Sequence, residues 1–206
     1  VHYEPLVVAE ASSKLPPRWG EFDLTVFRSL VDDAVPLAVA SHLGLPVDTV
    51  NIVHERGNLE FNGVDAVMLN WNVLSDPARG NPYADKASAE VDLRELFGVE
   101  KIIWADGPIP GDFTGGHIDG FARFIDAGRV VVAICTKDSH CKPGDPSDQV
   151  YDATALAASE AGFEVLRMDI QAEISHGGVS FDANYMNWGV GNGCVMVVGV
   201  GVGGSK

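Results

Sequence analysis

The densest group of side chains able to do chemistry lies in the glycine-rich stretch DFTGGHIDGFAR, which gathers Asp112, Thr114, His117, Asp119 and Arg123. Gly115 and Gly116 free the backbone there to approach a ligand or to adopt positive φ. His117 and Asp119 are two residues apart, so in an extended segment an imidazole and a carboxylate project from one face. That pairing suits a general acid/base beside an anion that holds a cation, half of a metal site, or a turn closed by a hydrogen-bonded histidine. Glu55, in the segment HERGN, adds a second carboxylate. Two carboxylates and an imidazole fit a planar cation such as guanidinium, which pairs bidentately with carboxylates. Asn184 and Asn187 carry amides that either orient a substrate or close a turn. A metal reading would draw instead on His54, His117 and His176.

Placing these residues together requires elements that recur. Three stretches read as strand pairs joined at a glycine turn, NLEFNGVDAVML, GFARFIDAGRVVVAI and NYMNWGVGNGCVMVV, and their turn glycines Gly63, Gly128 and Gly193 are separated by 65 and 65 residues. In step with them, helices are expected to stop at Gly44, Gly98 and Gly162, each followed by a strand: DTVNIV, EKIIWA and FEVLRM. Ala89, Leu93, Leu96 and Phe97 form an apolar helical stripe after Asp85. Ser147 is an N-cap candidate for an alanine-rich helix, and DLTVFRSLVDDAVPLAVASHL from Asp23 reads as a helix that Pro36 kinks or restarts. Residues Val1 to Ser13 read as the tail of an earlier strand. The unit is thus helix, glycine, strand, loop, hairpin, repeated three times, with module joints near 44, 98 and 162 in one domain over 1–206. Such units cannot bury both faces alone and must pack side by side, as a closed pseudo-symmetric ring or an open stack. In a ring the loops ERGN, DFTGGHID and SHGGVSFDAN converge on the axis, which would bring Glu55, His117 and Asp119 to one pocket.

The 206 residues carry 29 acidic and 14 basic side chains, a net charge of −15, which repels phosphate backbones and attracts cations, so nucleic acid is excluded as an expected partner. No apolar run approaches the roughly 18–20 residues of a membrane-spanning helix. Cys135, Cys141 and Cys194 are too few and too irregular for a disulfide framework or a zinc knuckle, though one local bridge across TKDSH is open to Cys135 and Cys141. The opening VHYEPLVV has no charged leader followed by a long apolar region, and the compartment stays open between cytoplasmic and secreted.

ERGN, GVEKIIWADG, DFTGGHIDGFARF and NYMNWGVGNGCV resemble, in order and spacing, the microbial peptidyl-arginine deiminase and agmatine deiminase family, over about Leu15 to Val198. The resemblance implies a five-module α/β propeller, the pentein fold, of about 325 residues, of which this chain would hold about three modules. It implies hydrolysis of a guanidine carbon–nitrogen bond of arginine, peptidyl-arginine or agmatine: a cysteine thiolate attacks the guanidinium carbon, ammonia leaves, and water resolves the covalent intermediate. By the same resemblance His117 is the general acid/base, Asp119 clamps the guanidinium, and Glu55 supports substrate and histidine. Asp112, Asn184 and Asn187 are expected to contact the substrate. No metal or organic cofactor is implied, and the expected partner is a cationic guanidino compound or an arginine-containing peptide.

Departures from the family pattern matter equally. The family's nucleophile lies in a last-module segment ending His-Cys, and none of Cys135, Cys141 or Cys194 matches it. Arg56 stands where the family usually has glycine, able to repel or block a cation, and Gly115 stands where it usually has aspartate. Two expectations follow: a deiminase whose cysteine comes from modules outside this sequence, or a catalytically inactive pentein kept for binding or structure. Three modules of five would also leave apolar module faces uncovered, which favours self-association or a second chain that completes the ring.

Overall fold

A computed structural model describes residues 7–15, 22–29, 40–44, 46, 52–139, 141–169, 174–176, 179–181, 186–191 and 194–196. The chain divides into two compact units, Val1–Asn51 and Ile52–Lys206. In the first, β1 (Val7–Leu15) pairs antiparallel with β2 (Phe22–Ser29), with a register shift between Ala9 and Ala11. This corrects the expected helix from Asp23. Phe22, Leu24 and Val26 alternate with Asp23 and Thr25 at period two, and the β-branched and aromatic run prefers an extended backbone that β1 can pair. Among the described residues of that stretch, 23–29 are strand and 40–43 are helical, the latter stopping at Gly44 with φ 66°.

The second unit shows the same topology twice. β3 (Glu60–Phe61) pairs antiparallel with β4 (Ala66–Asn70), which pairs in parallel with β5 (Lys101–Ala105). β6 (Ala122–Phe124) pairs antiparallel with β7 (Arg129–Ile134), which pairs in parallel with β8 (Glu164–Asp169). A helical crossover joins each parallel pair, as parallel neighbours require: α1 (Trp71–Leu74) and α2 (Lys86–Phe97) in the first, α3 (Pro146–Glu160) in the second. Asp85 caps α2 in a reciprocal capping box with Ser88, and Gly98 ends it at φ 65°. α3 begins at Pro146, the first-turn position its fixed φ favours, with Asp145 as N-cap in place of the expected Ser147. Beyond them lie two short hairpins, β9 (Ile174–His176) with β10 (Val179–Phe181) and β11 (Gly189–Gly191) with β12 (Cys194–Met196). The architecture is α/β.

β4 explains why the modules bury both faces. Ala66 and Met68 join a core with Ile103, Phe121, Val132 and Tyr151, whereas Val67 and Leu69 join a second core with Ala89 and Leu93 of α2. Alternation at period two therefore feeds two layers, and every residue of the strand is buried. Of the predicted α2 stripe, Ala89 and Leu93 are sealed while Leu96 and Phe97 remain about two-fifths exposed. The strand expected at DTVNIV lies outside the described residues except for Ile52 and Val53, which join no sheet. The Asn81 side chain takes over their pairing: it accepts from Val53 N at 2.8 Å and donates to Val53 O at 2.9 Å. Among the described residues no helix is long and apolar enough to cross a membrane.

Candidate active site

The two modules present matching turns at one place. Glu55 precedes the 3₁₀ turn Arg56–Asn58 ahead of β3, and His117 precedes the 3₁₀ turn Ile118–Gly120 ahead of β6. Glu55 and His117 thus hold equivalent positions 62 residues apart, and their side chains meet, Glu55 Oε2 against His117 Nε2. The same carboxylate oxygen accepts from Arg79 Nη2 at 2.8 Å. That guanidinium holds the Glu55 carboxyl below the usual carboxylate range, with the His117 contact acting in the same direction and burial against it. An ionised carboxylate only accepts, so His117 Nε2 carries a proton and Nδ1 is the nitrogen left to exchange one.

Gly57 sets the spacing behind the pair. A methyl group at its α-carbon would collide with His117 Nδ1 and lie 3.0 and 3.1 Å from the Asp119 carboxylate oxygens. His117 Nδ1 and the Asp119 carboxylate therefore converge on one small patch that only glycine leaves free. Burial pushes the Asp119 carboxyl up, while His117, Arg123 and Arg56 pull it down. A half-buried carboxylate beside an imidazole is short of positive charge, which a bound cation would supply. Arg56 leans the other way: its Nη1 donates to Leu59 O at 2.5 Å, and the residue lines a groove of about 280 Å³ with Glu60 and Arg123.

The loop before His117 is shaped locally. Asp112 accepts from Thr114 N and Oγ1, both at 2.8 Å, and Thr114 Oγ1 accepts from His117 N at 3.1 Å. Gly115 and Gly116 take φ of 80° and 98°, as their sequence suggested. Among the residues singled out by sequence, the structure brings Glu55, His117 and Asp119 together and turns Asp112 onto Thr114. Asn187 is exposed at the approach to β11, and Asn184 lies outside the described residues. Cys135 and Cys141 are bonded to each other, Cα to Cα 5.4 Å. His54 packs edge-on against Phe97 at 5.8 Å, and burial lowers its pKa. The histidine set of the metal reading would also need the His176 side chain, which lies outside the described residues, and among those described no group of three or more His, Cys, Asp or Glu side chains is placed to hold an ion.

Sequence reading missed a buried asparagine network. Asn58 Oδ1 accepts from Asn70 N at 2.9 Å, Asn58 Nδ2 donates to Asn70 O at 3.0 Å, and Asn70 Nδ2 reaches Gly107 O and Gly116 O at 2.9 and 2.8 Å. It ties the Glu55 turn, the end of β4 and the His117 loop into one block. The available signal was Asn70, an amide closing the apolar run AVML, where burial obliges every polar atom to find a partner. Arg79 was equally unmarked, because the partners that tie it to this site, Glu55 and Thr114, lie 24 and 35 residues away along the chain.

Comparison with known proteins bears on the family and the fold. The profile of the Porphyromonas-type peptidyl-arginine deiminase family matches residues 17–202. A Vibrio parahaemolyticus protein named as a candidate agmatine deiminase is 32% identical over 120 residues, 58% of this chain and 31% of that protein. The solved C. jejuni C315S agmatine deiminase with substrate bound superposes with TM-score 0.68 at 26% identity, over 83% of this chain and 50% of that one. Agmatine deiminase of Enterococcus faecalis superposes at TM-score 0.65 and 24% identity, over 81% and 50%, a likeness of fold. The chain spans about half the length of these structures.

Proposed function

The chain belongs to the Porphyromonas-type peptidyl-arginine deiminase family, and from that premise we propose that it carries the proton-transfer and cation-clamping half of a guanidine-hydrolysing deiminase. The observation that carries this reading is the convergence of Glu55, His117 and Asp119 around Gly57, built from equivalent turns of two modules. Asp119 accepts the guanidinium N–H groups, and the bound cation repays the cost of keeping that carboxylate charged. A thiolate attacks the guanidinium carbon, His117 gives its Nδ1 proton to the departing ammonia, and the neutral ring then takes a proton from the water that resolves the intermediate. Glu55 stabilises the imidazolium in both steps, as a carboxylate on the far nitrogen does.

The nucleophile is assigned to none of the cysteines here: Cys135 and Cys141 are joined to each other, and Cys194 opens β12. It is proposed to come from a further module of a five-module pentein ring in which these modules are neighbours, completed by other modules or by a second chain. Asp112, Asn184 and Asn187 stay in the proposal as substrate contacts, Asp112 with the added task of shaping the His117 loop through Thr114. The substrate is a small guanidino cation of the agmatine class, supported by the names of the relatives.

The test is an ammonia and ureido-product assay on the native protein with agmatine, free arginine and an arginine peptide, alongside calorimetric titration of agmatine into the 206-residue chain. Ureido product with agmatine, abolished in His117→Ala, is expected, together with agmatine binding that Asp119→Asn weakens by about tenfold or more. A native protein that releases no ammonia from any of the three, and a chain that binds none of them, would overturn the reading.

A further inference from the structure

Three consecutive carbonyls leading into His117 are each gripped by a side chain from one segment, residues 70–79. Arg79 Nη2 donates to Thr114 O at 3.0 Å, Asn72 Nδ2 to Gly115 O at 3.0 Å, and Asn70 Nδ2 to Gly116 O at 2.8 Å. The donors are themselves fixed. Asn70 is buried, and its Oδ1 accepts from Asn72 N at 3.1 Å. Arg79 is held by Asp76 at 2.5 Å and by Glu55 at 2.8 Å. A backbone ladder could have ordered the loop; committing three side chains to it costs rotamer entropy that a solvent-facing turn would not otherwise require. Gly116 also sits where a methyl group would press on Asn70 Nδ2 at 2.8 Å, so the grip and the glycine are matched.

We propose that Asn70, Asn72 and Arg79 are positioning residues for His117: they fix the backbone that carries the imidazole, and Arg79, bonded to the Glu55 oxygen that faces Nε2, holds that oxygen in place against the ring. The inference rests on the proposed reading of His117 only in taking it as the group that moves protons. Glu55 contacts the imidazole, Arg79 shares its oxygen and is held in turn by Asp76, and the Asp119 carboxyl near Nδ1 is acted on by Asp112, Arg56 and Arg123. Arg79 is the cation that shares an acceptor oxygen with His117, so its removal frees that oxygen to move away from the ring.

The test is nuclear magnetic resonance of the His117 ring nitrogens and of amide exchange in the 206-residue chain, neither of which needs turnover. Arg79→Met is expected to speed solvent exchange of the His117 Nε2 proton by about tenfold or more, and Arg79→Lys, which keeps a charged donor, to restore most of the protection. Asn72→Ala is expected to speed amide exchange at Gly116 and His117 by about tenfold or more. A folded Arg79→Met with wild-type exchange at Nε2 overturns the role of Arg79. If that variant does not fold, an Asn72→Ala chain with wild-type exchange in this loop overturns the proposal. Absence of ammonia release would defeat the deiminase reading and leave these outcomes unaffected.

Discussion

Asp119 and Gly57 show how a site of this kind trades stability for chemistry. Burial raises the Asp119 carboxyl in the folded chain, so as pH climbs above the ordinary carboxylate range the unfolded chain releases that proton first and the folded state loses stability. Asp119→Asn is therefore expected to melt above the parent protein at pH 7, with the gap closing below about pH 4, while agmatine binding falls. A lower melting temperature at pH 7 would show that the carboxylate is stabilising where it sits. Gly57→Ala forces a methyl group into His117 and Asp119, an overpacking change that should cost about 1–3 kcal/mol in denaturant unfolding. It should also remove agmatine binding measured by calorimetry. His117 and Asp119 were legible in the sequence as a neighbouring imidazole and carboxylate because two residues apart in the chain keeps them close in space. Gly57 was not legible as a contact, since nothing local says which side chains will face it.

At the scale of elements, α2 separates what periodicity settles from what packing settles. Asp85, Ser88 and Gly98 mark its ends by capping chemistry that involves only near neighbours, and the structure uses all three. The predicted stripe is divided by depth: Leu93 is fully buried against Val67 and Leu69, whereas Leu96 is 37% exposed. Leu93→Ala is expected to cost about 2–5 kcal/mol and Leu96→Ala about 0.5 kcal/mol or less, measured by urea unfolding. Similar losses at both would mean that α2 sits deeper than described. β2 shows the converse failure: a helical reading spread across Pro36 overlooked a period-two run whose partner, β1, lies upstream in the chain.

Across the whole second unit, the modules are joined by a charge pair that neither module explains alone. Glu60 and Arg123 hold the same register, each beside the last pair of its hairpin, and Arg123 Nε lies 3.0 Å from Glu60 Oε1 with both residues buried. Arg123 also donates to Met186 O at 3.1 Å and lies over the Trp188 ring at 5.7 Å, so one guanidinium ties both repeats to the segment before β11. Removing it strands a buried carboxylate, and Arg123→Ala is expected to cost about 3–5 kcal/mol. The double variant Glu60→Leu with Arg123→Met should recover most of that loss in thermal unfolding. A single variant as stable as the parent would show that the pair does not couple the modules. The sequence by itself determined the module period, the hairpins at Gly63 and Gly128, the helix stops at Gly98 and Gly162 and the identity of the acid/base candidates, because each depends on residues close in the chain. Only the tertiary structure decided that Glu55 Oε2 is shared by His117 and Arg79, that residues 70–79 grip the His117 loop, and that Glu60 meets Arg123. Those contacts join residues 24 to 63 positions apart, and their geometry exists only once two modules have packed and excluded water between them.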